Sequence, residues 1–289
     1  MTTQKELHAK KRHRYMVQGP VGSGKSRTLV LLAKRYAQQG KRVLYIDYRD
    51  LGGVDELLKL DEKTLEHIDY TNPHEYKDLL TLKMPDEVGL VIFDAMHHLR
   101  FRARKHIANR YIEQGEYTVN GKTTKIEDIE TFDLGTLGGY GTGYGAANLR
   151  EDDVIDKILN ISCDVAISVI PDKPKEGSET FTELLMGNFD NILNLSFQDT
   201  EAGVREWYYT LYRWRGIETN DYSAQRNEGE IDPFAIIEAT GGKPIRDYVV
   251  RYVEGDQDER TFLKGVDVED VTTQLMVEHP EAKEVQVSE

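Results

Sequence analysis

The sequence predicts an α/β fold: a mostly parallel sheet flanked by helices, with a β-hairpin inserted into it. Three observations predict it. Short apolar runs alternate with segments whose apolar residues recur at helical spacing. A glycine-rich turn joins the first apolar run to the first helical segment. The dipeptide Asn120-Gly121 stands between two stretches of alternating residues, a hairpin signal.

The elements follow in order. Residues 14–18 read as a short strand. Gly19, Pro20, Val21, Gly22, Ser23, Gly24, Lys25 and Ser26 then fit G-x-x-x-x-G-K-[ST], with Arg27 next. Glycines at the tight turns let backbone N–H groups converge on phosphate oxygens. Lys25 supplies a charge for the β- and γ-phosphates, and the Ser26 hydroxyl ligates Mg²⁺. The helix behind the loop, with Leu29, Val30, Leu32, Ala33, Tyr36 and Ala37 on one face, turns its positive dipole end toward them. Gly40 ends it. ATP and Mg²⁺ are the implied cofactors.

Residues 41–48 read as a buried strand and "LGGVDELLKL" as a turn and short helix. "TLEHIDY" reads as a strand, and "NPHEYKDLLTLK" as a helix with Pro73 at its first position. "EVGLVIFDAMHHL" reads as a hydrophobic strand ending in Asp94, the usual form of the second nucleotide motif, where the carboxylate supports Mg²⁺. Segment 111–134 reads as an inserted flap. Segment 134–148, rich in Gly and Tyr, reads as a loop, and a helix is expected over 149–160. Residues 163–170 form another buried strand, 171–181 a polar loop, and 189–197 and 205–216 two late strands.

Composition bounds the rest. The 289 residues are 39% hydrophobic and carry a formal charge of −14, of which −8 falls from Glu254 onward. That division predicts a basic segment 1–12, a nucleotide-binding domain over 13–253, and an acidic tail over 254–289 whose end, "VEHPEAKEVQVSE", is solvated and mobile. The acidic total argues against blanket coating of nucleic acid but leaves room for a basic channel. Leu99 to Arg110 carries five Lys/Arg and no acid. Cys163 is the one cysteine, so no intrachain disulfide forms; with no apolar run of about 18 residues and a polar N-terminus, the expected location is the cytoplasm. His97 and His98 lack further ligands at metal spacing. Trp207, Tyr208, Tyr209, Tyr212 and Trp214 read as strand packing.

The order of "GPVGSGKS", "VLYIDYRD", "LVIFDAM", "CDVAISVIPD", "FDNILNLSF" and "YTLYRWRG" resembles the RecA/KaiC-like P-loop ATPases. Within that group the layout looks most like the compact RecA-like proteins of phages, some of which act in single-strand annealing. The likeness covers about residues 13–217. It implies ATP hydrolysis between subunits of a ring or filament. It also implies that Arg213 and Arg215 stand where relatives carry a Lys-x-Arg-Gly that reaches a neighbouring subunit's γ-phosphate. Relatives orient the attacking water with a glutamate after the second strand. Here the stretch offers Asp50 or Asp47, with Arg49 at one alignment's glutamate position, which implies slow hydrolysis. Ala95 and Pro171-Asp172 also depart from the family pattern. Two loops facing single-stranded DNA in relatives correspond to the Gly/Tyr segment and 171–181. Tyr140 and Tyr144 would stack bases, and Arg100, Arg102, Arg104 and Lys105 would hold phosphates.

The expected function is ATP-driven handling of single-stranded DNA in phage or viral recombination or annealing, with a single-strand-binding protein as a further partner. The rivals are a KaiC-like regulatory switch, a DNA-translocating or packaging motor and a small-molecule kinase. The motor is disfavoured by Ala95, where an acidic residue would follow Asp94.

Overall fold

The computed structural model describes residues 12–48, 53–83, 87–119, 121–127, 132, 134, 142–172, 180–199, 205–213, 223–226, 233–234, 246–255, 257–265 and 268–288. The chain divides into two compact units, Met1–Asn191 and Ile192–Glu289.

The first unit begins with β1 (Arg14–Gln18), α1 (Lys25–Gln38) and β2 (Arg42–Asp47). The short helices α2 (Val54–Leu57) and α3 (Glu62–Leu65), β3 (Ile68–Thr71), α4 (Tyr76–Thr81) and β4 (Val88–Asp94) follow. Next come α5 (His98–Gln114), the hairpin β5 (Glu116–Val119) and β6 (Lys122–Lys125), α6 (Thr142–Leu159), β7 (Asp164–Val169) and α7 (Phe181–Met186). Strands β1, β7, β4, β2 and β3 lie side by side in that order, every pair parallel. The near-continuous apolar runs of β2, β4 and β7 are those of strands covered on both faces. Val43 to Ile46 and Leu90 to Phe93 are buried throughout, and α1 buries Leu29, Val30, Ala33 and Ala37. Chain order departs from strand order, and such sheets bind ligands at the carboxyl ends of their strands.

Several boundaries differ from expectation. Pro73 does not open α4. Glu75 caps that helix through a reciprocal box with Asp78, whose Oδ2 accepts the Glu75 N–H at 2.9 Å. The flap is shorter than 111–134, because α5 runs on to Gln114 and stops at Gly115, φ 68°. The hairpin itself sits where Asn120-Gly121 placed it, with Gly121 at φ 75°. The helix expected from 149 starts at Thr142, inside the supposed loop. Gly in a helix costs about 1 kcal/mol relative to Ala. Burial of Ala147 against Ile107 and Leu134 offsets that cost, and Tyr111, Tyr117 and Phe132 pack around the same cluster. Segment 171–181 is not loop throughout: Thr180 caps α7 by accepting the Glu183 N–H at 3.2 Å.

The second unit contains β8 (Asn191–Asp199), which starts one residue earlier, then β9 (Arg205–Arg213) and β10 (Ser223–Arg226), paired antiparallel. It continues with β11 (Arg246–Glu254), β12 (Gln257–Gly265), α8 (Val268–Glu278) and β13 (Lys283–Ser288). The acidic tail expected over 254–289 is therefore corrected. β12 and β13 pair on either side of β11. Tyr248, Val250 and Tyr252 of β11 meet Val271 and Leu275 of α8 in a small core. Charge density suggested solvation, but alternation in the strands and helical spacing in 268–278 supply one apolar face each. Among the described residues, no helix is long and apolar enough to cross a membrane.

Leu275 is fully buried in this small core. Leu275→Ala is expected to cost about 2–5 kcal/mol of the local stability, as large-to-small core changes do. Hydrogen exchange should show slow backbone amides in β11 and β13 that speed up in the variant. Fast exchange over 246–288 in the unaltered protein would contradict the fold of this module.

Candidate functional site

The glycine-rich loop leaves β1 at Gln18 and is tied to β7 at once, the Gly19 N–H donating to the Val169 carbonyl at 3.3 Å. Gly22 and Gly24 hold φ of 80° and 81°, in the left-handed region open to glycine. Gly24 is the N-cap of α1, and its carbonyl accepts both the N–H and the hydroxyl of Thr28 at 3.0 Å. No acidic residue lies in the first turn of α1. The positive end of its dipole is therefore uncompensated by its own side chains. Lys25 is buried, and its ammonium donates to the carbonyls of Gly19 (2.8 Å) and Pro20 (2.7 Å). The charge is thus held inside the loop's concavity.

A cleft of ≈ 430 Å³ opens in front of the loop. Gly22, Gly24, Lys25, Ser26 and Arg27 line one side, and Asp47, Glu56, Asp94, His97 and Ser168 line others. Asp47 and Asp94 are register partners at the ends of β2 and β4, 1% and 3% exposed. Asp94 is held on both oxygens. Its Oδ2 accepts the Tyr45 hydroxyl at 2.9 Å, and its Oδ1 accepts the Ala95 N–H at 2.9 Å and the Ser168 hydroxyl. The Ala95 N–H also reaches Ser168 Oγ at 2.8 Å, and the Met96 N–H donates to the Ser168 carbonyl at 2.9 Å. Ala95 takes φ 63° to make this turn, rare for a residue with a side chain. Asp47 Oδ2 accepts the Gly53 N–H at 3.0 Å. Gly53 cannot be larger, since a Cβ there would stand 2.6 Å from the Tyr45 ring.

The donor set fits Mg²⁺. That ion takes hard oxygen ligands, one or two carboxylates with phosphate and water completing the shell. Ser26 and Asp94, with Asp47 adjacent, are of this kind. Three donors already occupy Asp94, and an ionised carboxylate offers about four lone-pair positions. That count suits support of a hydrated cation better than direct ligation.

The expected residues meet in this cleft only in part. Val21, Gly22, Gly24, Lys25, Ser26, Arg27, Asp47 and Asp94 are brought together, with Val21 at the loop tip 63% exposed. Arg49, Asp50, Tyr140 and Arg215 lie outside the described residues, as does the side chain of Tyr144. Arg213 is an exposed residue at the end of β9, in the other unit. Two arginines expected on DNA have work inside the protein. Arg100 pairs with the buried Glu151 at 3.1 Å and lies over the Phe181 ring at 5.0 Å. Arg102 donates to the carbonyls of Pro73 (2.8 Å), His74 and Tyr48 (3.1 Å), and covers the Tyr48 ring at 4.4 Å. Arg104 is half-buried and Lys105 exposed. Sequence reasoning missed Tyr45, Glu56, His97 and Ser168. For Ser168 a signal existed: it and Ile170 share one side of a strand by alternation, and both line the cleft. Glu56 sits on a separate four-residue helix that no spacing rule connects to the loop.

No protein-family model and no curated protein sequence matches this chain. Among solved structures, the chain is similar to the flagellar accessory protein FlaH from Methanocaldococcus jannaschii. The identity there is 14%, over 70% of this chain and 78% of that one, with a TM-score of 0.39. It is also similar to the KaiC-like protein PH0186 from Pyrococcus horikoshii OT3, at 11% identity, over 75% of this chain and 86% of that one, with a TM-score of 0.48.

Burial, then the Asp94 charge, pushes the Tyr45 hydroxyl well above the ordinary tyrosine value of 10.0. The fold therefore favours neutral Tyr45. That stabilisation is fully present below pH 10 and is lost as pH rises past it, because the unfolded chain ionises first. Urea unfolding should show stability falling above pH 10, by up to about 1.4 kcal/mol per pH unit for each such tyrosine. Tyr45→Phe should remove its share of that slope and, at neutral pH, cost about 1.5–3 kcal/mol for the lost bond to a charged group. An unchanged slope in the variant would show that Tyr45 does not carry this linkage.

Proposed function

We propose that the chain is a RecA/KaiC-like ATPase that binds Mg²⁺·ATP in this cleft and acts on single-stranded DNA in recombination or annealing, in a phage or virus and in the cytoplasm of its host. The observation that carries the nucleotide reading is the cleft itself: one strand–loop–helix turn with a buried lysine, facing two buried carboxylates. Lys25 and the N-terminal turn of α1 would hold the phosphates, Ser26 the metal, and Asp94 the metal's hydration shell. Bound Mg²⁺ would neutralise charge on the transferred phosphoryl group. Arg215, with Arg213, would complete the site of a neighbouring subunit in a ring or filament. A single-strand-binding protein remains the proposed protein partner.

A general base must come within hydrogen-bond reach of its water. Beside Asp94, the described carboxylates on the cleft are Asp47 and Glu56. Asp47 is committed to the Gly53 N–H. Among the described residues the one partner of Glu56 is the exposed Lys59, 2.6 Å from Oε1. Glu56 is the better placed of the two to orient water, with Asp50 the rival from outside the described residues. Glu56→Gln should lower the ATP turnover number about 100-fold, within the usual span for a lost general base, and leave ATP affinity unchanged by equilibrium binding. An unaltered rate would return the role to Asp47 or Asp50.

One observation favours the second reading, a nucleotide switch that binds protein partners: Arg100 and Arg102 are engaged within the fold and not offered to phosphates. Steady-state ATPase rates separate the two. The proposal expects single-stranded DNA to raise the rate and duplex DNA to do so less. Lys25→Ala should cut turnover about 10²–10³-fold, as loss of a charge-stabilising donor does. A rate indifferent to both DNAs would favour the switch.

A further inference from the structure

The module β11–β12–α8–β13 has one covered face and one open face. Tyr248, Val250 and Tyr252 point to α8. The alternate positions of β11 therefore point away. On that open face Arg251 stands directly opposite Arg260 of β12 and, on its other side, opposite Gln286 of β13. Phe262 follows two residues after Arg260 and is 69% exposed, with the Arg260 guanidinium over its ring at 4.9 Å. Lys283 lies opposite Val253 across a register shift in β13, and Asp247 and Asp258 are the acids that the β11–β12 register assigns to this face.

One feature of this face disfavours the pairing without a ligand. Like charges directly across a ladder disfavour the pairing. Neither Arg251 nor Arg260 has an ion pair or hydrogen bond among the described residues, although residues from Glu254 onward carry a net charge of −8. Several of those acids are placed elsewhere: Glu254 pairs with His279 at 3.0 Å, Glu259 lies opposite Tyr252 on the α8 side, and Glu269 and Glu278 belong to α8. Arg251, Arg260 and Lys283 thus meet on the one face that also exposes an aromatic ring, with Asp247 and Asp258 toward its two ends.

We propose that this open face is a binding platform for single-stranded DNA. The inference rests on the single-strand reading above and deepens it by assigning the contact to β11, β12 and β13 instead of the α5 arginines. An anionic backbone crossing between Arg251 and Arg260 turns their repulsion into attraction, and Lys283 extends the track. The exposed Phe262 ring offers a base the stacking surface that sequence-tolerant single-strand binders use. A duplex has its base faces already stacked and cannot use that ring.

The test is anisotropy of a fluorescein-labelled oligo(dT) 20-mer with the full chain across a NaCl series. Phe262→Thr keeps strand propensity and removes the ring; Arg251→Gln with Arg260→Gln removes the charge pair. Phe262→Thr should weaken binding about 5- to 150-fold. The double variant should lower the slope of log affinity against log salt by about 1.4, about 0.7 for each phosphate contact on a single strand. ATP hydrolysis without DNA should be unchanged in both. Wild-type affinity and slope in both variants would overturn the platform while leaving the single-strand reading intact. Failure of the unaltered protein to bind oligo(dT) in any nucleotide state would overturn both. Weakening by the arginine variant alone, with duplex bound equally well, would show a general polyanion patch and overturn the single-strand assignment. Binding of oligo(rU) but not oligo(dT) would overturn it as well.

Discussion

Asp47 and Asp94 sit side by side at the ends of two parallel strands with almost no exposure, and much of the first unit is arranged around keeping them there. A buried carboxylate without partners costs several kcal/mol. Two adjacent ones raise that cost through mutual repulsion. The surrounding residues answer it directly: the Tyr45 and Ser168 hydroxyls and the N–H groups of Gly53 and Ala95 all point at these carboxylates. Ala95 accepts an unfavourable backbone conformation to donate, and residue 53 has no side chain because Tyr45 fills the space. Both carboxylates face the cleft, where a divalent cation would relieve their charge.

The loop opposite has the complementary problem. A buried ammonium at Lys25 and the positive end of the α1 dipole both seek anions. The carbonyls of Gly19 and Pro20 satisfy Lys25 within the protein. They also position it where a phosphate would compete for the same protons. Cation-seeking carboxylates and anion-seeking donors thus share one cleft, the electrostatic arrangement that a metal–polyphosphate complex matches.

Charge segregation organises the second unit in another way. Its C-terminal module is strongly acidic overall, yet its apolar residues are spaced to bury one face of a three-stranded sheet against α8. Val250, Val271 and Leu275, fully buried at roughly 1.5–3 kcal/mol each and joined by Tyr248, Tyr252 and Ala282, outweigh the weak repulsion among exposed acids. Composition alone therefore misjudged this segment. Net charge governs solubility and partner choice, while alternation governs whether a core can form.

The amino-acid sequence by itself determined the loop chemistry, the strand that delivers Asp94 and the Asn120-Gly121 hairpin, because each depends on contiguous residues whose backbone preferences suffice. It did not determine where α6 begins, since two glycines inside a helix are tolerated only once Ala147 is buried by Ile107. Nor did it determine what holds the site. Tyr45 reaches Asp94 from 49 residues away and Ser168 from 74, and Arg100 is taken up by Glu151 from 51. Such partners are chosen by which strands and helices lie side by side. Strand order in a parallel sheet follows from long crossover connections, and no local spacing in the chain records it.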